Sequence, residues 1–156
     1  MIRPLLLSLA LAFPLIAQGE ETASAAPRVT AIGVHVGSWH SNPAACYVDS
    51  GGPCNNDNPG GYVRLDNKWV VGGYYNSVER PTVYAGRIWD VGAKGPVSLA
   101  LGGVLATGYH YPIVPLVTPV VSLRLTDRWQ ARVLYLPRLP RFNPTHVASL
   151  ALEYRL

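Results

Sequence analysis

Charge is what this chain has least of: 14% of its 156 residues are Asp, Glu, Lys or Arg, against about 25% in ordinary soluble domains. That shortage fits a protein with much of its surface in lipid. The net charge of +4 comes without a basic cluster, so nothing marks a nucleic-acid-binding protein. Apolar runs long enough for a spanning helix are also missing. The run Leu5 to Ala17 is too short, and the mostly apolar Val97 to Leu123 is broken by Gly102, Gly103, Pro112, Pro115 and Pro119, which argue against a helix. Cys46 and Cys54 are the only cysteines, no zinc-site spacing is present, and no motif implies a metal or a cofactor.

What is present begins with a leader. Arg3, the apolar run and the small residues Ala17, Gly19, Ala23 and Ala25 read as a secretory signal peptide. Residues 1–26 are taken as signal peptide and short polar leader, cleaved between about 19 and 26, and no cysteine follows that could carry a lipid anchor. Residues 27–156 then suit one domain. An exported chain oxidises a close cysteine pair, so a Cys46–Cys54 disulfide is expected within the polar stretch Ser41 to Pro59. Closing so short a loop stabilises by about 2 to 3 kcal/mol. Metal binding by the two thiols with His40 is the weaker alternative.

From Thr145 to Leu156 apolar residues recur at every second position. His146, Ala148, Leu150, Leu152, Tyr154 and Leu156 share one face, and Ser149, Glu153 and Arg155 the other. Turn residues divide the chain into eight extended segments, near 29–40, 60–66, 69–77, 82–91, 96–109, 113–126, 129–138 and 145–156. The expectation is an all-β fold, an eight-stranded antiparallel transmembrane β-barrel in the cell outer membrane, acting as a monomer. Tight connections at Asn67-Lys68, Gly92 to Gly95 and Asp127-Arg128 would share the periplasmic side with both termini, with the longer loops outside. A soluble lipocalin-like barrel would alternate equally well with its apolar face inward. Side-chain size favours the membrane: Ile32, Val34 and Val36 oppose Ala31, Gly33, His35 and Gly37, and Leu99 and Leu101 oppose Ser98, Ala100 and Gly102. Bulky-out and small-in suits a narrow barrel.

With that orientation the lumen has two parts. Arg64, Asp66, Arg124, Gln130, Arg132, Glu153 and Arg155 project inward at the periplasmic end as a charge-compensated plug. Toward the outside, Val104, Ala106, Gly108, Leu116, Val120, Leu134 and Leu136 form an apolar pocket for an acyl chain. The prolines at 112, 115 and 119 point to a gap in strand pairing.

The rim of that pocket carries the candidate chemistry. Ser77 needs a base to become a nucleophile, and histidine has the right pKa. His35, which points inward, is the first candidate base and His40 the reserve. Asn76 would orient the imidazole or donate to an oxyanion. Arg80 suits a lipid phosphate, with Tyr75 and His40 beside it as substrate contacts and Ala106, Gly108, Leu116 and Leu134 along the chain. Tyr74 and Tyr84 fit an aromatic girdle equally well.

At these residues the chain resembles the lipid A palmitoyltransferase (PagP) family of small outer-membrane barrels. The shared pieces are Ala31-Ile32-x-x-His35, the aromatic-x-Ser77 strand end running into Ala85-Gly86 and Trp89, the segment Tyr111-Pro112-Ile113-Val114-Pro115-Leu116-Val117-Thr118-Pro119, and Tyr135-Leu136-Pro137. The resemblance implies transfer of a fatty acyl chain from an outer-leaflet phospholipid to lipid A, the chain being held in the barrel. The family's surface His matches His35 and its Asp-Ser pair matches Asn76-Ser77, with an amide where the family has a carboxylate. The family's N-terminal amphipathic helix has no counterpart in Glu20 to Pro27. The competing readings are a non-catalytic small barrel that binds lipid or a surface partner, and a lipid A deacylase or other esterase.

Overall fold

The alternation of bulky and small residues produces eight strands. They are β1 (Val29–His40), β2 (Gly60–Leu65), β3 (Trp69–Tyr75), β4 (Pro81–Lys94), β5 (Val97–Ala106), β6 (Val114–Arg124), β7 (Trp129–Leu136) and β8 (Val147–Arg155). The computed structural model describes residues 26–46, 48, 50–139 and 143–156. The expected signal peptide therefore lies, apart from Ala26, outside the described residues. Each strand pairs antiparallel with its neighbour, and β1 pairs with β8, closing the barrel. The apolar stretch from Val97 to Leu123 forms two strands, not a helix.

The hydrophobic surface is the outer one. Ile32, Val34, Val83, Leu101, Val117, Val121 and Val133 are exposed, while Ala31, Ala106, Gln130, Arg132, Ala151 and Glu153 are buried. Exposed aromatics stand near both ends of the strands, with Trp39, Tyr75 and Tyr135 toward the long connections and Trp69 and Trp129 beside the short turns. This is the surface of a membrane-spanning barrel, because closure leaves no strand edge to meet hydrocarbon and the exterior matches its solvent. The lipocalin-like arrangement, apolar face inward, is not the one that forms.

Two irregularities depart from simple alternation. β4 continues past Gly92, because a bulge between Asp90 and Gly92 lets it stay paired with β5 down to Lys94↔Val97. The expected Gly92 to Gly95 turn is therefore shorter, with Gly95 at φ +60. In β1 the register with β8 slips between His35↔Ala151 and Gly37↔Leu150. One extra residue reverses the facing of everything beyond it. Trp39 consequently points outward, 61% exposed, and His40 inward, 2% exposed.

The lumen is filled unevenly. Tyr62, Tyr74 and Tyr84 stand with His35 beside the strands β1 to β4, with ring centroids 5.0 to 5.9 Å from the histidine ring. Room for them comes from Gly33, where a Cβ would sit 2.1 Å from the Tyr62 ring. Opposite, β5 to β8 present smaller apolar groups and leave a cavity.

Candidate active site

That cavity measures about 670 Å³ and runs from the long-connection end down to Tyr62, Ile88 and Arg132. Val104, Leu116, Val120 and Leu134 supply much of its wall, and Ser77, His40, Arg80 and His110 lie among its lining residues. At the long-connection end the barrel wall is incompletely bonded between β6 and β7. β6 pairs with β7 from Val120↔Leu134 to Arg124↔Gln130, and no pair joins Val114–Pro119 to β7. A proline in that stretch has no N–H to give a ladder. The Thr118 hydroxyl instead donates to the Tyr135 carbonyl at 2.9 Å, bridging the gap once.

Ser77 lies two strands from β1, and a short β2 explains how the two meet. β2 begins only at Gly60, so the segment Asn55 to Pro59 lies between the long-connection ends of β1 and β3. Ser38 N–H donates to the Asn56 carbonyl at 2.9 Å on one side. On the other, Asn55 N–H donates to the Ser77 carbonyl at 2.9 Å and Tyr75 N–H to the Pro59 carbonyl at 3.0 Å. Buried Asn58 ties both sides, accepting from the Ser38 hydroxyl and donating to the Tyr75 carbonyl.

Across this segment a chain of three side chains forms. Ser77 Oγ is 2.9 Å from His40 Nε2, and His40 Nδ1 is 2.7 Å from Asn56 Oδ1. An amide oxygen only accepts, so Nδ1 carries the hydrogen and Nε2 accepts from the serine hydroxyl. That tautomer suits a general base. The Cys46–Cys54 disulfide forms as expected, and both sulfurs lie within 4.8 Å of a His40 ring nitrogen. Cross-linked sulfurs hold no thiolate for a metal.

The remaining expected site residues fall elsewhere. His35 does not reach Ser77: its Nε2 lies 3.0 Å from the Tyr84 hydroxyl, deeper in the lumen. Strict alternation made it the inward histidine at the rim, and the β1 bulge transfers that position to His40. Asn76 is fully buried with its amide spent on its own turn. It donates to Thr82 Oγ1 and the Gly108 carbonyl, and accepts from Val78 N–H and Arg80 N–H. It shapes the turn that presents Ser77 and does not touch His40. Gly108 is likewise a turn residue and not pocket lining. Its φ of +79 favours glycine, and a Cβ would lie 2.2 Å from the Pro81 carbonyl oxygen. Tyr75 points out of the barrel, 41% exposed. Ala106, Leu116 and Leu134 do line the cavity. Tyr74 and Tyr84 face the lumen and are not part of a girdle.

Asn56 and His110 are the residues that sequence reasoning missed. Asn56 sits in a run of Asn and Asp from 55 to 58, where periodicity carries no information. Tyr109, next to His110, bonds the Tyr74 hydroxyl, and burial holds its phenol well above its ordinary pKa, so it is a neutral hydroxyl and no base.

At the other end of the lumen, Glu153 accepts from Tyr62 OH at 2.8 Å, from Arg64 Nη1 at 3.0 Å, and from Gln130 Nε2 and Arg132 Nη1. Arg155 donates to Gln130 Oε1 at 3.3 Å. Asp66 and Arg124, expected in this plug, are exposed at strand ends, with Arg124 donating to the Gly95 carbonyl.

No protein-family model matches the chain. No curated protein matches it either. Among solved structures it is similar to the crystal structure of Neisserial surface protein A, at 14% identity over 82% of this chain and 96% of that one, with a TM-score of 0.38. At that level of likeness no property of the other protein passes to this one.

Proposed function

We propose that this protein is a serine-dependent acyl-ester enzyme of the outer membrane, which takes a fatty acyl chain from a phospholipid into its barrel and transfers it to lipid A. The observation that carries the reading is the Ser77–His40–Asn56 chain at the rim of an apolar cavity. A nucleophile, a base in the right tautomer and an orienting amide lie beside a space of the size and polarity of a lipid pocket.

In this reading Ser77 Oγ attacks the donor ester carbonyl while its proton passes to His40 Nε2. The C–O bond to the glycerol breaks, and the departing oxygen takes that proton. The acyl chain is now esterified to Ser77. A lipid A hydroxyl then attacks the same carbonyl, giving its proton to His40, which returns it to Ser77 Oγ. Asn56 keeps Nδ1–H pointed away throughout but supplies no negative charge to the imidazolium, as an aspartate would. The unpaired outer stretch of β6 and β7 supports sideways passage of the chain from the outer leaflet. Arg80 and His110 at the mouth suit the donor's phosphate. The rim faces outward in this reading, with both chain ends in the periplasm.

The test is mass spectrometry of lipid A from cells with wild-type protein, with Ser77→Ala and without the protein. An added acyl mass seen only with wild type supports transfer. A lost acyl mass turns the reading to deacylation by the same triad, and unchanged lipid A in all three leaves a non-catalytic lipid-binding barrel.

A further inference from the structure

The lumen holds a second cavity, of about 550 Å³, open toward the short-turn end and lined by Arg64, Ser98, Ser122, Gln130, Arg132 and Glu153 among others. Arg132 lines both this cavity and the one beside Ser77. The two spaces are therefore separated by a single layer of side chains, built from Tyr62, Arg64, Gln130, Arg132 and Glu153. A barrel with an open-mouthed cavity on one side and an open vestibule on the other is one layer away from being a channel.

The bonding of that layer turns on one residue. Both oxygens of the fully buried Glu153 are occupied: Oε1 accepts from Arg64 and Gln130, Oε2 from Tyr62 and Arg132. These four donors come from β2 and β7, which are not neighbours in the barrel, so the carboxylate on β8 draws side chains together across the lumen. Two guanidinium groups converge on one carboxylate, and Arg132 is itself buried. Without the carboxylate they repel one another, and a buried cation without a counter-charge must move or take up water. The vestibule on the short-turn side is where that water enters.

We infer that this layer is the permeability barrier of the protein and that Glu153 is its lock. The barrel can then carry an open lipid cavity without leaking ions across the membrane. Removing the carboxylate opens a continuous aqueous path whose narrowest part is lined by arginines, and such a constriction passes anions in preference to cations.

The test is single-channel recording in planar lipid bilayers with purified, folded full-length protein, folding being checked by its heat-dependent migration on a denaturing gel. Wild-type protein is expected to be silent. Glu153→Ala is expected to give discrete conductance steps, with a reversal potential in a potassium chloride gradient that reports chloride selectivity. Should that variant not fold, Glu153→Gln supplies the same test, because it preserves the shape and removes the charge that holds both arginines. Folded Glu153 variants as silent as wild type overturn the inference, and so do steps of equal size from the wild type. Lipid A chemistry plays no part in the readout, so this inference stands or falls apart from the proposed function.

Discussion

The two polar clusters of the lumen differ in how their hydrogen bonds are distributed. Around Glu153 four donors converge on two oxygens, leaving that carboxylate saturated. At the rim the bonds run in a line: Ser77 gives to His40, His40 gives to Asn56, and the line ends at a serine oxygen beside the cavity. A convergent cluster is hard to rearrange and fixes the fold, whereas a line with a free end can pass a proton along itself. The same few residue types thus hold in one place and, in the proposed function, react in the other.

Substitutions at the line should therefore remove chemistry and leave stability alone. Ser77→Ala and His40→Ala are each expected to lower acyl transfer by about a thousandfold or more, worth about 4 kcal/mol of transition-state stabilisation, with the double variant little worse than either. Turnover of a phospholipid in detergent checks this, and independent multiplying losses would show that the pair does not act as a unit. At the convergent cluster the pattern should invert. Glu153→Ala is expected to cost about 3 to 5 kcal/mol of stability, read from urea unfolding in detergent, because it strands a buried arginine. Turnover per folded molecule should stay near wild type.

The loop that brings Asn56 to the line gives an intermediate case. Replacing both Cys46 and Cys54 by Ser should cost about 2 to 3 kcal/mol in stability. It should also lower turnover, since Asn56 lies two residues beyond Cys54, just outside the ring that the disulfide closes. A disulfide-free protein with undiminished turnover would mean that hydrogen bonds alone position Asn56. A smaller effect is expected at Asn56 itself. Asn56→Asp should raise turnover by up to about tenfold and Asn56→Ala lower it by about ten- to a hundredfold, because only a carboxylate stabilises the imidazolium. His35→Phe, by contrast, should leave turnover close to wild type.

The strands were legible because each side chain's facing is decided locally by size, as with Ile32 against Gly33 or Leu101 against Gly102. Glu153, Arg132 and Arg64 were legible as plug members for the same reason. Asp66 and Arg124 were not, since a turn redirects the residue at its edge. The active line was only half visible. Ser77 was marked by residue type, but the choice between His35 and His40 depended on one unpaired residue in β1, and a bulge leaves no mark on composition. Asn56 was invisible because its position is set by its own contact to Ser38 and that of its neighbour Asn55 to Ser77, both distant in the chain. Gly108 was misread for a related reason: small inward residues and turn glycines look alike until φ is known.

The bulge at Val36 decides what the end of β1 presents to the lumen. Deleting Val36 would remove the extra residue yet keep Trp39 opposite Ala148 and His40 opposite Val147, so His40 would stay in the lumen. The same residues paired without a bulge would instead turn Trp39 inward and His40 toward lipid. Two registers of one sequence would then differ in whether His40 reaches Ser77 at all. What the end of a strand shows to the lumen is therefore set by where an extra residue is left unpaired as much as by which residues follow it.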